Sequence, residues 1–184
     1  MSHSKEKDTI MDVSLLNMER LYDPVPLKRI IDIYVEVFSA PPRNERIDKD
    51  AIYEKYQRVL PESIVHVVKD MSEVIGFIIS VPSRYFAIHF SGEESTGLVG
   101  DDGYYLSDFA LLERYRRNNI GQRLLTLHFA ELESKGKPVY ARSRTDVPNV
   151  ISLFQKQGMS IIHKYSARIN SVTTQRYIYK KVYA

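Results

Sequence analysis

Apolar residues change their spacing along the chain in a way that separates helices from strands. Ile10 to Leu16 alternates weakly and predicts a first strand, and Asp23-Pro24-Val25-Pro26 then leads into a helix whose face is Leu27, Ile30, Ile31, Tyr34, Val37 and Phe38. Ser39-Ala40-Pro41-Pro42 ends it, because proline pushes the residue before it out of helical backbone. A second helix over Asp48 to Leu60 carries Ile52, Tyr56, Val59 and Leu60 on one face. Ile64 to Val68 and Val74 to Val81 predict two strands, joined by the polar turn Lys69-Asp70-Met71-Ser72-Glu73.

The aromatic and aliphatic run from Tyr104 to Leu111 is too short for a buried helix and predicts a strand. The helix after it is marked by Ile120, Leu124, Leu127 and by Leu125, Phe129, Leu132. Lys135 lies in its last turn, Gly136 supplies a left-handed cap and Pro138 forbids continuation. Val139 to Ser143 predicts a fifth strand, and Val150, Leu153 and Phe154 a short helix closing at Gly158. Ile161 to Arg168 and Arg176 to Tyr183 form a last pair of strands, linked by Asn170-Ser171-Val172-Thr173-Thr174.

Composition narrows the class. At 184 residues the chain has the length of one domain, with residues 1–9 expected to be a flexible N-terminus and 10–184 a single folded unit. A hydrophobic share of 43% with 27% charge belongs to a globular protein. The net charge of +3 is spread, which argues against a nucleic-acid surface. The hydrophilic start lacks the apolar core of a signal peptide, and no apolar run reaches membrane-spanning length. With no cysteine, disulfides and thiol catalysis are excluded, and a cytoplasmic location is expected; five histidines without close pairing argue against a zinc site, so no metal is expected.

Between the Tyr104 strand and the next helix stand two arginines, two asparagines and a glycine, Arg116-Arg117-Asn118-Asn119-Ile120-Gly121. A helix start exposes unpaired N–H groups and the positive end of the dipole, so this basic turn is an anion site, although it also reads as a solvated helix start. Neither a triphosphate P-loop nor a dinucleotide glycine motif is present. The stretch resembles the pyrophosphate-binding turn of the Gcn5-related N-acetyltransferases, a strand ending in Val followed by Arg-Gly-x-Gly-x-Gly/Ala. Leu111 takes the place of the Val, Arg116 the Arg, Arg117 and Asn119 the first two glycines, and Gly121 the last. The order of elements follows that family over nearly the whole chain.

The resemblance implies an α/β (α+β) fold with a mixed, mostly antiparallel central sheet, flanking helices and splayed fourth and fifth strands. It implies acetyl-coenzyme A as co-substrate, its pantetheine on the backbone of Phe109, Ala110 and Leu111 and its pyrophosphate on amides of Arg116, Arg117, Asn118, Asn119, Ile120, Gly121 and Gln122. A backbone N–H near Leu111 would polarise the thioester carbonyl. Leu106-Ser107-Asp108-Phe109-Ala110-Leu111 resembles the Leu-Glu-Asp-Leu-Tyr-Val of diamine and related acetyltransferases, which makes Asp108 the candidate catalytic base; the alternative is a structural ion pair. Phe154 stands beside the cofactor where the family places a proton-donating tyrosine, with Val147 at its asparagine and Met159 at its final Phe. Either water or a hydroxyl such as Tyr140, Ser143 or Ser152 then serves as acid, or thiolate leaves unassisted, given a generic thiol pKa of ~8.5.

The expected activity is transfer of an acetyl group to a primary amine of a small molecule or peptide. The connection Arg84 to Asp102, with Glu93, Glu94, Asp101 and Asp102, is either an acidic mouth for a cationic amine or a solvated loop. The alternative to an enzyme is an acyl-coenzyme A sensor or interaction module of the same fold, motivated by Phe154, Val147 and the lost glycines. A homodimer paired across the Tyr177-Ile178-Tyr179 strand is a further expectation.

Overall fold

Apolar side chains at three- and four-residue spacing draw Pro24–Ser39 into helix α1, where Leu27, Ile30, Ile31, Ile33 and Phe38 are buried. The structure is a computed structural model and describes residues 11–15, 24–41, 43–89, 96–169 and 172–183; the N-terminal stretch 1–9 and the Glu93-Glu94 pair lie outside them. Helix α2, Lys49–Val59, begins at an N-cap, Asp48, whose carboxylate accepts from the amides of Asp50 and Ala51 at 3.0 and 3.3 Å. The remaining helices are α3, Arg84–His89, α4, Ile120–Ser134, and α5, Pro148–Lys156. Gly136, at φ +62°, takes the left-handed cap after α4.

The strands are β1, Met11–Leu15, β2, Ile64–Asp70, β3, Glu73–Pro82, β4, Tyr104–Leu111, β5, Val139–Arg144, β6, Ser160–Ile169, and β7, Val172–Lys181. They form one seven-stranded sheet in the order β1-β2-β3-β4-β5-β7-β6. Every neighbouring pair is antiparallel except β4 with β5. The expected mixed, mostly antiparallel sheet with flanking helices is what the chain builds.

Four expectations are corrected. The β2–β3 turn is only Met71–Ser72, because Lys69, Asp70 and Glu73 join the ladder. The connection after Arg84 is not all loop but contains α3 and a 3-10 turn at Thr96–Leu98. Strand β7 begins at Val172, earlier than Arg176, because Val172, Thr173 and Thr174 pair with β6. And β7, the strand of Tyr177-Ile178-Tyr179, lies between β5 and β6, so it has no free edge through which a second copy could pair.

Register assigns the two faces of the sheet. Ser80 of β3 meets His128 of α4, so α4 covers that face. Strand alternation sends Ile79 to the opposite face, and Asp108 of β4 is its partner there. On that second face Asp108 meets Lys55 of α2, while α4 buries Ile120, Leu124, Leu125, Phe129 and Leu132 against the first.

Candidate active site

Strands β4 and β5 begin together and then separate. Gly103 brings them close, since a Cβ there would lie 2.6 Å from the Pro138 carbonyl oxygen, and the Tyr104 amide donates to that oxygen at 2.9 Å. Pairing covers only Tyr104, Leu106 and the residue between them, against Val139 to Ala141. At Ser107 the register against β3 shifts, Ile79 pairing with Asp108 but Ser80 with Leu106, so Ser107 is an extra residue. Such a bulge bends its strand. Beyond it β4 stays with β3 and β5 stays with β7, and a wedge opens between them.

The wedge is lined by backbone donors. The Leu112 amide bonds the Ile75 carbonyl at 3.0 Å, so alternation along β4 turns the amides of Leu111 and Phe109 away from β3 and into the gap. The Leu111 carbonyl, also on the gap side, accepts from Arg116 Nε at 3.1 Å.

At the open end of the wedge the chain makes its basic turn. Arg117 and Asn119 hold φ of +68° and +57°, the left-handed backbone that glycine accepts most readily. Helix α4 starts at Ile120, and its first intrahelical bond runs from the Arg123 amide to the Asn119 carbonyl at 3.0 Å. The amides of Ile120, Gly121 and Gln122 therefore have no intrahelical acceptor, and the Asn119 side chain does not cap them. A groove of about 990 Å³ runs beside this turn.

Of the residues singled out in the sequence, Phe109, Leu111, Arg116, Arg117, Asn119, Gly121 and Gln122 line this groove. Ala110 and Ile120 are buried, and Asn118 is exposed on the turn without lining the groove. Phe154 points into the core, its ring edge-on to Tyr179 at 5.1 Å between centroids. The opposite wall comes from α5, with Val147, Pro148 and Asn149 at its start and Lys156 in its last turn, and from Val37 in α1 and Arg43 just beyond it; Pro148, Asn149 and Lys156 had no part in the sequence reading. The signals for these three were Pro148 opening a helix and Lys156, the basic residue in that helix's last turn.

Asp108 sits on the other side of β4, 6% exposed. Its Oδ2 accepts from Lys55 Nζ at 3.1 Å and from Ser107 Oγ at 2.6 Å. Phenols surround it. Burial first, and then the Asp108 charge, hold the Tyr34 hydroxyl far above its ordinary pKa, Glu45 adding to the rise and Arg43 opposing it. Tyr56 is raised by the same two causes, yet no acceptor among the described residues meets hydrogen-bond geometry with its hydroxyl. Tyr105 is pushed up to about 12 by burial, with Arg142 acting against the rise.

Of the hydroxyls considered as acids, Ser143 is buried and hydrogen-bonded to the Tyr179 hydroxyl at 2.9 Å, while Ser152 lines the groove. Asp102 is exposed and paired with Lys137 at 2.7 Å. A separate polar cluster, missed in the sequence, joins β2, β3 and α4. His66 and His128 share a 3.0 Å contact between their Nδ1 atoms, and His128 Nε2 lies 2.8 Å from Ser80 Oγ. Burial holds both imidazoles below their ordinary pKa, His128 the further, with His66 adding to the depression.

A family model described as the acetyltransferase (GNAT) family matches residues 27–159. Solved structures share the fold. The ribosomal-protein-S18-alanine N-acetyltransferase from Escherichia coli superposes with a TM-score of 0.68 at 14% identity, over 95% of each chain. An aminoglycoside 6'-acetyltransferase type Ii gives 0.66 at 20% identity, over 93% of this chain and 96% of that one. A GNAT family acetyltransferase from Elizabethkingia anophelis with acetyl-CoA bound gives 0.60 at 14% identity, over 96% and 99%. Among curated proteins no sequence match is found.

Proposed function

The chain belongs to the acetyltransferase (GNAT) family, and from that premise we propose that it moves an acetyl group from acetyl-coenzyme A directly to a primary amine of a small molecule or peptide. The observation that carries this reading is the wedge opened at Ser107 beside a left-handed turn that feeds the bare N-terminus of α4.

The residues present fit the co-substrate. Amides of Ile120, Gly121 and Gln122, with the guanidinium groups of Arg116 and Arg117, form a cradle for a pyrophosphate. Lys156 supplies a further cation from the facing wall. The Leu111 amide, facing the gap, would hold a pantetheine carbonyl, and the Phe109 amide, deeper in the wedge, would polarise the thioester carbonyl. When bound, acetyl-coenzyme A supplies the activated acyl group. Asp108, one residue from that amide and on the opposite sheet face from α4, takes the proton that the amine must lose before it attacks. Phe154 has no proton to give, so the coenzyme either leaves as thiolate or takes its proton from water or another hydroxyl, of which Ser152 lines the groove.

Thiol release tests this reading, and a chain without cysteine adds no background. The expected result is release that depends on added primary amine. Acetyl-coenzyme A binding without release for any amine would favour a sensor module, the reading that Phe154 supports.

A further inference from the structure

Among the described residues, Lys55 brings a primary amine to Asp108. Its Nζ is 3.1 Å from Asp108 Oδ2 and 3.4 Å from Ser107 Oγ, the bulged residue at which β4 leaves β5. The same nitrogen lies 5.3 Å from the Tyr56 ring centroid and 6.0 Å from that of Tyr34. The pair is mostly withdrawn from solvent, with side-chain exposures of 20% and 7%. Other lysines are placed differently. Lys49 and Lys137 pair with Asp32 and Asp102 at the surface, and Lys156 lines the groove.

We propose that Lys55 is itself an acyl acceptor, so that the chain acetylates its own Lys55 ε-amine in cis. This rests on the cofactor reading above. An amine held against the candidate base, one residue from the amide that polarises the thioester, has the proximity that makes intramolecular transfer fast. In the step, the Lys55 ammonium gives a proton to Asp108, and the free amine attacks the thioester carbonyl. The N–C bond forms as the C–S bond breaks, coenzyme A leaves as thiolate, and the second nitrogen proton passes to solvent. Asp108 then passes the proton it took to solvent; because the product amide is uncharged, the ion pair with Asp108 is abolished and the carboxylate is released toward an external amine.

The test is to incubate the full chain with acetyl-coenzyme A and no added amine, and to follow intact mass and the acetylated peptides over time. One acetyl group per chain is expected, on Lys55, at a rate independent of protein concentration, ahead of Lys28, Lys49, Lys137 and Lys156. In Asp108→Asn the rate at Lys55 should fall about a hundredfold or more, the scale of lost general-base assistance. A thermal midpoint read with and without acetyl-coenzyme A separates the two ways to fail. An unmodified Lys55 in a chain whose midpoint the ligand raises would overturn the inference and leave the cofactor reading standing. Neither a rise nor acetylation would overturn both. Equal labelling of all exposed lysines, matching a urea-unfolded control, would also overturn the inference.

Discussion

Arg117 and Asn119 both hold left-handed backbone, at φ +68° and +57°, on either side of Asn118 in the turn that opens α4. These are the positions at which the family turn carries its first two glycines. The conformation is thus kept without the residue that adopts it at least cost. A non-glycine residue in this region bears roughly 1–2 kcal/mol, and Asn less because its side chain hydrogen-bonds locally.

Arg117→Gly should therefore raise stability by about 1 kcal/mol, while Arg117→Val, branched at Cβ, should lower it by a similar amount. Thermal melts of the two variants check this. Because Arg117 lines the groove, Arg117→Gly should at the same time weaken acetyl-coenzyme A binding through the lost charge.

Gly121 carries a second prediction. A Cβ at this position would sit 3.4 Å from Phe109 Cζ, so Gly121→Ala should fold and bind. Gly121→Glu would project a carboxylate into the groove where the proposed pyrophosphate would lie. It should fold normally and lose the acetyl-coenzyme A response, as read by equilibrium titration. Unchanged affinity would refute the assignment of the turn.

Asp108→Asn keeps the shape of the side chain and removes its basicity. Turnover with a primary amine should fall by ~10²–10⁴, the range for a lost general base, with acetyl-coenzyme A affinity unchanged. Steady-state kinetics with both substrates varied separates the two effects.

The His66–His128–Ser80 cluster predicts acid sensitivity. Both imidazoles stay neutral in the fold because burial opposes their charging, with Glu131 acting the other way on His66. In the unfolded chain they bind protons near the ordinary 6.5, so the unfolded state holds more protons as pH falls. Stability is therefore intact above that pH and is lost progressively below it, by ~1.4 kcal/mol for each unit of depression. The thermal midpoint should drop as pH is lowered from about 7.5 to 5, and His128→Gln should flatten that slope.

Periodicity made most of this fold legible, because most apolar positions of α1, α4 and β3 are also buried ones, although Leu127 of α4 is exposed and Tyr34 and Val37 of α1 are half-buried. Polar strand ends were not. Lys69, Asp70 and Glu73 read as turn by composition, yet pairing partners across the hairpin hold them in strands. Helix α3 spans Arg84–His89, too few residues to establish a period. Within the site, the basic turn was readable from local chemistry, whereas the bulge at Ser107 was not, since register is a property of two strands. Nor was the partner of Asp108, because Lys55 lies 53 residues away and only the docking of α2 on the sheet joins them. Phe154 matched the family by spacing alone, and its side chain turns into the core against Tyr179.

The most direct measurement of the central claim is the thermal midpoint with and without acetyl-coenzyme A. Ligand at a hundredfold excess over its dissociation constant adds ~2.7 kcal/mol, which raises the midpoint of a domain of this size by several degrees. A rise of that order in the native chain, absent from Gly121→Glu, is the predicted result. No rise in the native chain at millimolar ligand would contradict the account.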